Sequence, residues 1–80
     1  MTTDLNYAVV LESDPIDGGF CVFVPALPEI ATQGDTEAEA MENAEDAIRE
    51  ALRFRHERGM EIPPSDTAEI RQIAISVPAA

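Results

Sequence analysis

From Thr36 to Arg58 the chain runs without a proline or a glycine, and no other stretch constrains the architecture as much. Thr36 stands three residues before Glu39, the spacing at which a hydroxyl caps the free amides of a helix start. Met41, Ala44, Ile48, Ala51 and Leu52 recur at three- and four-residue steps, flanked by Ala40 and Ala47, so the predicted helix carries one apolar stripe. Acids crowd its first half (Glu37, Glu39, Glu42, Glu45, Asp46) and arginines its second (Arg49, Arg53, Arg55, Arg58), in the sense the helix dipole favours. Gly59 is placed to end it. A single stripe asks for one surface to lie on.

The rest of the chain offers a sheet. Asn6 to Glu12 alternates, with Tyr7, Val9 and Leu11 on one side and Ala8 and Val10 on the other. Ser13 to Gly19 gathers turn formers, and Asp17-Gly18-Gly19 allows the positive backbone angles of a reversal. Phe20 to Val24 is a second strand, ended by Pro25-Ala26-Leu27-Pro28, and residues 30–34 make a short third. Beyond the helix, Met60 to Asp66 reads as a connector with Pro63-Pro64 inside it. Glu69 to Val77 then returns to β character through Ile70, Ile73, Ile75 and Val77. The expected class is therefore α+β in the order β-β-β-α-β. A right-handed crossover would set a parallel fourth strand beside the first, giving sheet order 3-2-1-4 with one helix on one face.

One helix covers only one face. Phe20, Val22 and Val24 oppose Cys21 and Phe23 on the second strand, and Ile73 and Ile75 oppose Ile70 and Ala74 on the last. Either a second copy or another protein covers the other face, or twist and loops hide it. Eighty residues bury a modest core, and Cys21 is the only cysteine, so no internal disulfide can help. Association is the remaining support, and a homo-oligomer is expected. No apolar run reaches membrane-span length, and Met1-Thr2-Thr3-Asp4 has neither the basic nor the apolar part of a signal peptide, so no membrane partner and a cytoplasmic location are expected.

Sixteen acids against five arginines and no lysine give a formal charge of -11. Direct nucleic-acid binding is disfavoured, because phosphates are held by clustered cations that release counterions. A basic protein partner suits the charge better, and so does plain solubility. Nucleophilic catalysis would need Cys21 beside His56, but one lies in an apolar strand and the other on a helix edge among Arg55, Glu57 and Arg58. Asp14, Asp17 and Asp35 flank turns without the spacing of a calcium loop. No phosphate loop or zinc pattern occurs. The sequence thus implies no catalytic, cofactor or metal site. Asn43, off the stripe, could tie the helix to the proline-bearing loop after strand two, and Phe54 falls near the stripe's edge.

Taken in order, Tyr7-Ala8-Val9-Val10-Leu11, Gly18-Gly19-Phe20, Val24-Pro25-Ala26-Leu27-Pro28, Thr32-Gln33-Gly34-Asp35-Thr36, Glu39-Ala40-Met41-Glu42-Asn43-Ala44 and Ile62-Pro63-Pro64-Ser65 resemble the HicB-like antitoxins across nearly the whole chain. The resemblance implies a partial ribonuclease H-like fold; many members add a C-terminal helix-turn-helix or ribbon-helix-helix module that binds operator DNA, whereas residues 1–80 are expected to form a single domain with no C-terminal DNA-binding module. It also implies a dimer or tetramer, and a HicA-like toxin as partner: a small basic ribonuclease that cleaves messenger RNA with a histidine and is masked by the antitoxin. Family members often have Gly-Cys where Glu29-Ile30 stand. Enzymes of the ribonuclease H-like fold hold metal with carboxylates, typically including one in the first strand, where this chain has Ala8, Val9 and Val10. A vestigial or metal-dependent nuclease and a free-standing oligomeric protein-binding module are the alternatives. As partner contacts the acidic loop residues Asp14, Asp17, Glu29 and Asp35 and the aromatic Phe23 are the candidates.

Overall fold

A computed structural model of the chain describes residues 4–66 and 68–79. The signal-peptide reading at Met1-Thr2-Thr3 falls on residues outside that range. Three strands, β1 (Val10–Ser13), β2 (Phe20–Phe23) and β3 (Ala31–Gly34), precede one helix, α1 (Glu37–Glu57). The strands form an antiparallel sheet in the order β1-β2-β3. Val10, Phe23 and Ala31 share one cross-strand row, and Leu11, Val22 and Thr32 share the next. Since successive side chains alternate across a sheet, these rows face opposite sides.

The hairpin turn forms where its chemistry requires. The Asp14 amide donates to the Gly19 carbonyl at 3.0 Å, and the Asp14 carbonyl accepts from the Gly18 amide at 3.1 Å. Gly18 and Gly19 have φ of 75° and 77°, a region that side chains with a Cβ rarely enter. Helix α1 begins as its sequence asks, with the Thr36 hydroxyl accepting from the Glu39 amide at 3.1 Å. It ends in a Schellman motif. The Met60 amide donates to the Arg55 carbonyl at 2.8 Å and the Gly59 amide to that of His56 at 3.2 Å, with Gly59 at φ 65°.

Two expectations about strands need correction. The first strand is shifted, starting at Val10 and not Asn6, because Asn6 and Tyr7 bond to the connector after the helix. The Asn6 amide donates to Ser65 Oγ at 3.0 Å, the Asn6 carbonyl accepts from the Asp66 amide at 2.7 Å, and the Tyr7 hydroxyl donates to the Pro63 carbonyl at 2.6 Å. More consequentially, the parallel fourth strand and the order 3-2-1-4 are absent. Residues 68–79 pair with no strand, and Ile70, Ile73, Ile75 and Val77 are all exposed. Their alternation expresses a demand for burial that this chain does not meet from its own sheet.

The core has two parts. Val22 of β2 packs on Ala40 and Ala44 of α1, with Val9, Leu11 and Phe20 around them. The small alanines let the helix lie close, and it lies over β3 and β2 rather than over β1. Gly34 marks the nearest approach: a Cβ there would stand 2.7 Å from Ala40 Cα. The second part is built by the proline-bearing loop. Successive turns join Leu27 to Val24 and Ile30 to Leu27 by 3.0 Å backbone bonds, so three apolar residues at three-residue steps turn inward. Val24, Leu27 and Ile30 pack against Ala47, Ile48, Ala51 and Leu52. Met41, expected on the stripe, is exposed at its margin.

Candidate partner-binding surfaces

With α1 on one side, the other side of the sheet is left uncovered by any described element. It carries two rows: Val10, Phe23 and Ala31, which is apolar, and Glu12, Cys21 and Gln33, which is polar apart from the thiol. Phe23 is 42 % exposed at the centre of a three-stranded sheet. An aromatic there is held firmly by β2 pairing on both edges while its ring remains available, which is how a contact anchor is presented. Cys21 opens to solvent on the same face. The thiol that the sequence places in an apolar strand is therefore accessible, and the sheet's rear is neither wholly polar nor shielded.

At the end of the sheet that bears the hairpin turn, the β1–β2 turn and the junction from β3 to α1 bound a polar cleft of about 560 Å³. Asp14, Asp17 and Asp35 line it together with Glu39 and Asn43. Three of the sequence-predicted contact residues are thus brought together. The cleft also reaches Cys21 and Gln33, which lie one step along their strands from Phe23 and Ala31 on the bare face. Asp14 is organised by the turn itself: its carboxylate accepts from the Ile16 amide at 2.9 Å and the Asp17 amide at 3.1 Å. Those two donors, Ile16 first, hold its carboxyl below the ordinary carboxylate range. It stays anionic through any physiological pH. Asn43 does tie the helix to the sheet, but to β3 rather than to the loop after β2: its Nδ2 donates to the Gln33 carbonyl at 2.8 Å.

Glu29 lies elsewhere and is engaged within the chain. Its carboxylate accepts from Arg55 Nη2 at 2.9 Å and 3.1 Å and from Nε at 3.3 Å. Arg55 Nη1 also reaches the Glu61 carbonyl at 3.4 Å, so one guanidinium pins the proline-bearing loop and the connector to the end of α1. The Glu29 carboxyl is held below its usual range, by its own backbone amide first and then by Arg55. Nothing in the spacing of residues 29 and 55 announces this pair; the departure from Gly-Cys at Glu29-Ile30 is the only sequence signal that points to it.

The cations are otherwise committed. Arg49 pairs with Glu45, Arg53 with Glu50 and Arg71 with Glu69, while the Arg58 guanidinium stacks 4.6 Å from the Phe54 ring centre. Most of the sixteen acids have no such neighbour, so the surface field is strongly negative. Among the described residues no three histidine, cysteine or carboxylate side chains converge in a way that could hold a metal ion. Among the same described residues no helix is long and apolar enough to cross a membrane.

Comparison with known proteins reports on the same residues. A family model described as the HicB-like antitoxin of bacterial toxin-antitoxin systems matches residues 6–80. Antitoxin HicB of Escherichia coli strain K12 is 39 % identical over 74 residues, covering 92 % of this chain and 53 % of its own length. Antitoxin HicB 1 of Photorhabdus laumondii is 44 % identical over 61 residues, 75 % of this chain and 38 % of that protein. UPF0150 protein Ta0767 of Thermoplasma acidophilum is 38 % identical over 66 residues, 82 % of this chain and 94 % of its own. The chain thus spans about half the length of the named antitoxins it matches.

Proposed function

The chain belongs to the HicB-like antitoxin family, and we propose that it acts by covering a HicA-like, messenger-RNA-cleaving toxin with the bare face of its sheet. The observation that carries this reading is the apolar row Val10, Phe23 and Ala31, continued through Cys21 and Gln33 into the acidic cleft of Asp14, Asp17 and Asp35. The two parts do different work. Unpaired carboxylates attract a basic ribonuclease and raise the rate of encounter, while burial of the aromatic row slows dissociation. Masking needs no chemistry from the antitoxin. It requires only that the toxin's RNA-binding surface, which is cationic because RNA is anionic, meet an anionic surface of matching shape. The protein works in the cytoplasm, beside the messenger RNA, as a homo-oligomer.

Inhibition of RNA cleavage tests this. Added to a HicA-like toxin at equal concentration, the chain is expected to abolish cleavage, and Phe23→Glu to weaken inhibition at least tenfold with the helical signal unchanged. Asp14→Asn with Asp17→Asn and Asp35→Asn should slow association and flatten its salt dependence while changing dissociation little. Undiminished inhibition by Phe23→Glu would exclude the bare face as the masking surface.

A further inference from the structure

Residues 68–79 leave the body of the molecule as an extended arm. Ile70, Ile73, Ile75 and Val77 are 66 %, 83 %, 74 % and 79 % exposed. The radius of gyration, 15.7 Å, exceeds the value of about 12 Å for a compact domain of this length. The longest dimension is 56 Å, against 26 Å and 20 Å for the others. From Ile73 to Val77 every second residue is β-branched and apolar, the pattern of a strand with one buried face.

A complementary vacancy lies where the arm departs. β1 is a sheet edge, with no described strand on its outer side. Alongside it the segment leading into β1 and the flank of α1 bound a groove of about 780 Å³. Leu5, Tyr7, Val9, Met41, Ile48 and Leu52 line it, and no arm residue does. The bonds from Asn6 and Tyr7 to Pro63, Ser65 and Asp66 hold the root of the arm at this edge while the arm itself lies outside the groove.

We propose that the arm of one copy docks along the β1 edge groove of a second copy, and that the second copy's arm docks in the first. This rests on the homo-oligomer reading above and names the surface and the segment that carry it. Three features favour a second copy as the occupant. The arm holds only Glu69 and Arg71 as charges, paired with each other, so it carries no net charge and a strongly acidic second copy would not repel it. The seven residues from Arg71 to Val77 extend about 23 Å at strand rise, and the stretch of α1 that lines the groove, Ala38 to Leu52, measures about 21 Å. Each copy supplies one arm and one groove, so the exchange closes as a two-fold dimer and leaves neither unpaired.

Mass in solution and methyl contacts test it. At micromolar concentration the intact chain is expected at twice 8.7 kDa. Ile73→Glu with Ile75→Glu should return it to a monomer without changing the helical circular dichroism, since those side chains are exposed and belong to neither core cluster. In a mixture of separately labelled copies, Ile73 and Ile75 methyls are expected to show intermolecular contacts with Val9, Ile48 and Leu52. A variant that stays dimeric, or arm contacts found only within one chain, would overturn the exchange while leaving self-association intact. A monomeric parent chain would overturn both.

Discussion

Phe20-Cys21-Val22-Phe23-Val24 and Ile73-Ala74-Ile75-Ser76-Val77 are nearly the same word in two places, each with three large apolar residues at alternate positions. In β2 and the residue after it, Val22 and Val24 are 1 % exposed; in the arm, Ile75 is 74 % exposed. The pattern is therefore a statement about what a segment needs, and the surroundings determine where the need is met. β2 finds β1, β3 and α1 within a few turns of chain. The arm begins beyond a connector already bound to Asn6, and among the described residues it pairs with no strand.

Substitutions can break this contrast or sharpen it. Leu27→Ala, in the loop that completes the body's second core cluster, should cost about 2–5 kcal/mol in the urea unfolding midpoint, because Leu27 is fully buried and the turns around it cannot collapse into the void. Gly34→Ala places a methyl against the backbone of Ala40, so it should destabilise by about 1–3 kcal/mol and push α1 off β3, read as lost dispersion at the Val22 and Ala44 resonances. Asn43→Ala removes the bond to the Gln33 carbonyl and should cost about 1 kcal/mol by the same unfolding measurement.

A smaller effect belongs to Glu29. Its folded carboxyl is held below the ordinary range, so the stabilisation is complete above that range and fades as pH falls through the lowered value. Glu29→Gln should then lie less than about 1 kcal/mol below the parent at neutral pH, the gap closing in acid. Ile75→Ser is expected to be the mildest for the body, within about 0.5 kcal/mol below the concentration at which copies associate. A loss comparable to Leu27→Ala there would show the arm to be part of the core and erase the contrast.

Much of the body was legible because its signals are local. Thr36 and Glu39, the Asp-Gly-Gly turn and Gly59 each act within a few residues, and all three do in the structure what their chemistry dictates. What eluded the sequence depends on distant partners. The inward turn of Leu27 and Ile30, the Arg55 bridge to Glu29 and the shift of β1 by the connector join residues far apart in the chain. The fourth strand failed for the same reason, since alternation could not say whether an edge was available. Of the candidate contacts, the turn aspartates proved to be neighbours across the end of the sheet, a proximity that followed from pairing Phe20 with Gly34.

The proposed masking requires the bare side of the sheet to be the side that meets the toxin. Titrating an isotope-labelled chain with a HicA-like toxin and following the amide shifts tests that directly. Changes should cluster on Cys21 to Phe23, Ala31 to Asp35 and the turn from Asp14 to Gly19. Changes confined to the outer face of α1, with β2 and β3 unmoved, would contradict it.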